Sequence, residues 1–248
     1  MLALALTGLA GFTEIPSVRY VPPPDRGTPP SDRGTGSRGD CLYRADLPPM
    51  AALVGEPHLS LTVSDRPTLW AYLPYTTNDA SHAEAVLQRD SDDQELYRSA
   101  FPLGTMPGIT GIRFSNSAPA LEVGETYRWY IDIPCSPENS AATPATLTGV
   151  VKRVAASPEL TQALQAVATP VETLAAYGEH HIWYDLLSKL AEHRLMGETE
   201  ARLEQTNFEQ LWIDVLSDEA GADLGDYAEA PLVGVVTVEA IAASYPLE

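Results

Sequence analysis

The stretch LEVGETYRWYIDIPC, Leu121 to Cys135, constrains the fold more than any other part of the chain. After Gly124 it alternates strictly: Tyr127, Trp129, Ile131, Ile133 and Cys135 fall on one face, Arg128, Tyr130 and Asp132 on the other. That period of two predicts a strand with one buried face and excludes an amphipathic helix, whose apolar positions recur every three to four residues. The same run ends on one of only two cysteines in the 248 residues.

The surrounding sequence repeats this grammar. His58–Ser64, Thr68–Tyr75, Glu84–Arg89, Glu95–Phe101, Ile109–Phe114, Tyr127–Ile133 and Thr146–Val154 each read as short strands, separated by turn-forming clusters such as Ser64-Asp65-Arg66-Pro67 and Gly104–Gly108. Strands of this length and spacing predict an antiparallel β-sandwich. Leu121-x-x-Gly124-x-x-Tyr127-x-Trp129 is similar to the approach to strand F of fibronectin type III and immunoglobulin-like domains. There a tyrosine hydrogen-bonds back across the corner, a role that falls to Tyr127. Trp129 is then a core residue, and Trp70 on an earlier strand is a second candidate for the core, in competition with Leu69, Ala71 and Leu73 for the inner face.

After Val154 the period changes. Ser157-Pro158 and Thr169-Pro170-Val171-Glu172 are helix starts, the second a capping box. Leu174, Tyr177, Trp183, Leu186, Leu187 and Leu190 follow at helical spacing, and a further helix is expected from Thr199 through Leu216. Tyr177, Trp183 and Leu190 loosely match a tetratricopeptide repeat, although His181 stands where the turn glycine belongs and no second copy follows at the roughly 34-residue period. Asp218–Ala230 reads as an acidic loop, and PLVGVVTVEAIAASYP is ambiguous between strand and helix. The expected class is therefore α+β: a signal-like and Pro/Gly/Arg-rich linker over 1–40, a sandwich over 41–155 and a helical domain over 156–248.

Charge and cysteines bear on location and partners. With 34 acidic against 15 basic residues the chain carries −19, which argues against nucleic acid, whose phosphates require clustered Lys and Arg. The reading of this charge is a solvated acidic exterior that resists self-association. Cys41 and Cys135 match no metal or redox spacing. They are either independent buried thiols or one disulfide, and the position of Cys41 after a flexible arm and of Cys135 at a strand end favours the disulfide. A structural disulfide implies export from a reducing cytosol. Met1–Gly11 agrees: it is apolar over a signal-peptide length and too short to span a bilayer. No transmembrane helix is expected. Arg38-Gly39-Asp40 sits in the Gly-rich arm and reads as a turn.

Chemistry is sparse. His181 and Asp185, one helical turn apart, are the candidates for a shared metal, but a third ligand is missing and no denser signature such as HExxH accompanies them. Asp90, Asp92, Asp93 and Glu95 cluster without the glycine and distal glutamate of an EF-hand, and read as a solvated hairpin tip. Glycine-rich phosphate loops and a nucleophile elbow are absent from the sequence. No cofactor and no catalytic residue is expected.

Several of these residues together resemble a known family. Gly36-x-Arg38-Gly39-x-Cys41, Thr68-x-Trp70-x-Tyr72-x-Pro74-Tyr75, Pro107-Gly108-Ile109, Leu121-Glu122-Val123-Gly124 with Tyr127-Arg128-Trp129-Tyr130, Cys135, and Ile182-Trp183-Tyr184-Asp185 are similar to a cyanobacterial family known as domain of unknown function 928. The resemblance spans roughly Arg26 to Leu216. It implies an exported protein with a cysteine pair, and no assigned activity. The family pattern has glycine before Ile182, where this chain has His181, and Asp218–Ala230 looks like an insertion before a short C-terminal helix. The leading expectation is an exported, non-enzymatic interaction or structural module of the cell envelope, periplasmic or extracellular, with a protein partner. The alternative is an envelope carbohydrate-binding protein or hydrolase in which Trp70, Tyr72, Tyr75 and Tyr130 stack on sugar rings. A third reading is a peptide groove around Trp183 and Trp212.

Overall fold

The computed structural model describes residues 18–24, 42, 44–55, 59–135, 144–196, 207–218 and 222–239. They form a mixed α+β fold with two sheets and five helices. The strands are β1 (Ala51–Ala52), β2 (Ser60–Thr62), β3 (Thr68–Leu73), β4 (Ala83–Arg89), β5 (Glu95–Phe101), β6 (Gly108–Phe114), β7 (Thr126–Ile133), β8 (Ala145–Arg153) and β9 (Leu232–Val238). The helices are α1 (Pro158–Ala166), α2 (Pro170–Glu179), α3 (Trp183–Met196), α4 (Phe208–Ser217) and α5 (Gly225–Ala228).

One sheet has the order β1-β3-β6-β9 and the other β2-β8-β7-β4-β5. In β7, Tyr127, Trp129, Ile131 and Ile133 are buried and alternate with half-buried neighbours, as the period of two requires. The inner residues of both sheets and the apolar faces of α2, α3 and α4 belong to one core cluster. The antiparallel expectation needs correcting, because β2 pairs parallel with β8 and β9 pairs parallel with β6. A parallel partner must arrive by a crossover rather than a hairpin, and β9 does so from beyond the helices. The 156–248 segment, read as helical, thus also supplies an edge strand, and the ambiguous PLVGVVTV is β-structure.

Helix starts follow their capping chemistry. Ser157 Oγ accepts from Leu160 N, with Pro158 in the first turn, and Thr169 with Glu172 closes the capping box on α2. The helix expected from Thr199 begins, within the described residues, at Phe208 under an Asn207 cap; Thr199 itself lies outside them. The acidic segment after Asp218 includes the single turn of α5.

Residues 18–24 depart from the linker reading. Val18, Tyr20 and Pro23 are buried, Val21 N donates to Gly178 O at 3.0 Å, and Arg19 pairs with Asp218 at 3.1 Å. A Cβ on Gly178 would stand 2.2 Å from the Arg19 carbonyl oxygen, so this strap crosses α2 where only glycine leaves room. Among the described residues no helix is long and apolar enough to cross a membrane.

Candidate functional site

The densest constellation of chemistry-bearing side chains lies where α3 meets the two sheets. Trp183 Nε1 donates to the Leu53 carbonyl at 2.8 Å, just past β1. The Tyr184 hydroxyl accepts from Trp129 Nε1 and donates to the Val150 carbonyl, both at 2.9 Å, joining β7 to β8. Asp185 Oδ2 accepts from the Thr62 hydroxyl at 2.7 Å and from Val63 N at 3.1 Å, at the end of β2. One turn further on, Ser188 Oγ accepts from Trp70 Nε1 on β3 at 3.0 Å. Three consecutive residues and a serine therefore reach five places in both sheets. Trp183 and Tyr184 are fully buried, where an unmade hydrogen bond would leave a costly desolvated donor.

Burial sets the electrostatics. The Asp185 carboxyl is pushed above the usual carboxylate range by desolvation, which outweighs the bonds from Thr62 and Val63 that favour its charge. Desolvation likewise raises the Tyr184 phenol, partly offset by the Trp129 bond, and raises the Tyr20 phenol. Tyr20 packs edge-on against Trp183, with ring centroids 4.9 Å apart. Its hydroxyl is buried and has no hydrogen-bond partner among the described residues.

The residues nominated for binding are mostly withdrawn from solvent. Trp70, Tyr72 and Tyr75 are each 3% exposed or less and cannot offer a face to a sugar ring. For Trp70 and Tyr72 this follows from the burial of all six residues of β3, which lies between β1 and β6 inside the first sheet. Tyr130 is half-buried on the outer face of β7, its hydroxyl donating to Gln88 Oε1 at 2.7 Å. The four rings therefore form no common platform. Trp183 and Trp212 are fully buried, which removes the peptide groove expected around them.

His181 and Asp185 are engaged with different partners. His181 Nδ1 bonds to the Val21 carbonyl at 2.8 Å, whereas Asp185 turns to β2. Among the described residues no group of three or more His, Cys, Asp or Glu is placed to hold a metal ion. His181 instead closes α2. Its φ is +68°, its N–H reaches Gly178 O and Ile182 N–H reaches Tyr177 O, the two bonds of a Schellman motif. That left-handed position is where glycine is favoured.

The acidic hairpin tip is occupied by arginines. Arg128 pairs with Asp90 at 2.6 Å and Asp93 at 3.2 Å, Arg89 with Asp92 at 2.9 Å, and Arg98 with Glu95 and Glu84, both at 2.9 Å. Hollows elsewhere among the described residues include a small apolar space of about 10 Å³ between Leu69, Leu87, Phe114 and Val151, and an open groove of about 390 Å³ bordered by Thr169, Pro170, Lys189 and His193. Neither includes Asp185. Cys135 is half-buried just beyond β7; Cys41 and Arg38-Gly39-Asp40 lie outside the described residues.

Sequence reading missed Ser188, Thr62 and Tyr20, and had no signal for them: each matters through a partner more than a hundred residues away in sequence. Neither the curated proteins nor the solved structures contain a match to the chain. The family model described as Domain of Unknown Function (DUF928) matches residues 33–232, a span that holds β1 to β8 and the Trp183-Tyr184-Asp185 bridge and ends at the first residue of β9, and the chain belongs to that family.

Proposed function

We propose that this protein is an exported, non-enzymatic interaction or structural module of the cell envelope, periplasmic or extracellular, with a protein partner. The observation that carries the reading is the use made of Trp183, Tyr184 and Asp185. Their polar atoms join α3 to both sheets, so the most distinctive motif of the chain serves rigidity. A rigid body with a charged exterior suits a scaffold whose work is done by its surface. The alternative of a sugar-binding protein or hydrolase has lost three of its four aromatic candidates to the core.

Export is supported by two features of the chain. Met1–Gly11 has the composition of a signal segment, and no free cysteine occurs among the described residues, as a Cys41–Cys135 disulfide would require. The fold is read as an immunoglobulin-like sandwich with a helical cover, dividing near 155/156. In support, β3 neighbours β6 in one sheet and the order β8-β7-β4 runs through the other, the neighbour relations that B-E and G-F-C have in such a sandwich. Glu122 N donates to the Tyr127 hydroxyl at 2.8 Å, as at a tyrosine corner.

Cell fractionation followed by crosslinking and pull-down from the native envelope tests the reading. Recovery outside the cytoplasm with one reproducible protein partner is expected. Non-reducing mass spectrometry of that material should show Cys41 and Cys135 linked. Cytoplasmic recovery with two free thiols overturns export, and turnover of an envelope glycan by purified protein overturns the non-enzymatic reading.

A further inference from the structure

The strap at 18–24 lies in its slot as a peptide ligand would. The main chain of Val21 is gripped twice at the end of α2: its N–H donates to the Gly178 carbonyl at 3.0 Å, and its carbonyl accepts from His181 Nδ1 at 2.8 Å. Main-chain bonds of this kind hold an extended segment whatever its sequence, and side-chain pockets then select it. The pocket takes Tyr20, which is 1% exposed. Trp183 forms one wall and Gly55 another, where a Cβ would stand 2.6 Å from the Tyr20 ring. Arg19 reaches Asp218 at 3.1 Å with most of its own side chain in solvent. Pro22-Pro23-Pro24 follows, and the fixed φ of proline keeps such a run extended before it docks.

Two observations separate the slot from its occupant. Gly55, Gly178, His181, Trp183 and Asp218 all lie within residues 33–232, the span matched by the family model, whereas the strap lies before it. The slot thus belongs to the family domain and the segment that fills it does not. The fit is also incomplete, because the Tyr20 hydroxyl is buried and has no hydrogen-bond partner among the described residues. A desolvated donor left unmade opposes docking. A phenylalanine ring would fill the same pocket without that penalty.

We propose that this slot is a docking site for an extended segment of a partner protein, and that the strap occupies it in cis until such a segment displaces it. The slot defines the partner's chemistry: a basic residue, then an aromatic one, then a proline-rich run. The Asp218 carboxylate and the net charge of −19 favour a basic segment. The Tyr20 pocket favours a ring without a hydroxyl, and the bonds to Val21 require an extended main chain. Displacement exchanges one set of contacts for an equivalent set, so the rest of the fold stays closed. In the chain alone the open strap is a minor local state, too sparse to register in bulk unfolding. This site deepens the proposed interaction module and rests on that reading for its partner. Its test uses the purified chain, so it can fail while export and an envelope partner stand.

Amide hydrogen exchange on the full chain, alone and with a peptide of the sequence Val18–Pro24, tests it. The peptide is used at about 1 mM, the order of the effective concentration of a tethered segment. In the chain alone the Val21 amide should exchange well before the amides of β7, through local opening. With the peptide it should exchange at least about tenfold faster while β7 is unmoved. The same peptide carrying Tyr20→Phe should act at lower concentration, and a scrambled peptide of the same composition should do nothing. Tyr20→Phe in the chain itself should slow Val21 exchange by about tenfold, because the strap is then held more tightly. Val21 exchange in step with β7 overturns the proposal, since the strap then leaves only with the fold. Exchange unmoved by the peptide, or accelerated equally by the scrambled one, overturns it too. Acceleration with protein concentration alone would give the slot to the strap of a second copy and overturn the assignment to a partner protein.

Discussion

Trp129 on β7 lies directly over Gly149, its partner across the ladder to β8. A Cβ at Gly149 would fall 2.2 Å from the indole ring. Trp70 repeats the arrangement over Gly111 on β6, at 2.9 Å. Each large ring thus occupies the space that a side chain on the neighbouring strand would have filled, and each glycine is used for close approach rather than for a turn. Overpacking of this kind typically costs about 1–3 kcal/mol. Gly149→Ala is therefore expected to lower the unfolding free energy from urea denaturation by an amount in that range and to shift tryptophan fluorescence, while Gly124→Ala, with nothing within 4 Å of its Cβ, should act only through its positive φ. Of the two tryptophans, Trp129 could be assigned to the core from its alternation alone. Their glycine partners could not, because that needs the register between strands.

At the scale of elements, α3 decides how the two sheets are held. Its first residues bond to β7, β8 and β2, to the turn after β1, and one helical turn later to β3. Asp185 gives this junction a pH signature. Its folded-state pKa is raised above the ordinary 3.8 by burial. Between that value and the raised one the folded chain binds more protons than the unfolded chain, so stability contributed by this group falls as pH rises through the window. Asp185→Asn keeps an acceptor for Thr62 and removes the charge. Urea denaturation at neutral pH should find the variant as stable as the parent or more so, and the difference should shift toward the parent as pH falls through the window, where the parent carboxyl also becomes neutral. A parent that gains relative to the variant as pH rises would contradict the assigned direction. The helix starts were legible from Ser157-Pro158 and the Thr169–Glu172 box. The Schellman closure at His181 was not, because a histidine in a left-handed position breaks the glycine rule and is compensated by its bond to Val21.

At the scale of the molecule, segments distant in sequence converge on one core. Tyr20 from the N-terminal strap packs on Trp183, and a Cβ on Gly55 would stand 2.6 Å from its ring. β9 returns from beyond the helices to the sheet begun at β1. Removing the aromatic ring of a buried residue costs about 3–5 kcal/mol. Tyr20→Ala is expected to destabilise the whole protein by that order, in a single transition seen alike by tryptophan fluorescence and far-ultraviolet circular dichroism, since helices and sheets share the cluster. Two separated transitions would show that the strap and helices unfold apart from the sheets.

The division between sequence and tertiary structure follows the range of the interactions. Periodicity, capping chemistry and turn composition act within a few residues. They determined seven of the strands, the starts of α1 and α2, the buried face of β7 and the acidic exterior. Only the tertiary structure decided that β2 and β9 pair parallel, that the strap at 18–24 is docked and that Trp70, Tyr72 and Tyr75 are interior. It also decided that Trp183-Tyr184-Asp185 joins the sheets. Each of these depends on partners brought together by chain crossovers, and no local pattern records which strand lies beside which.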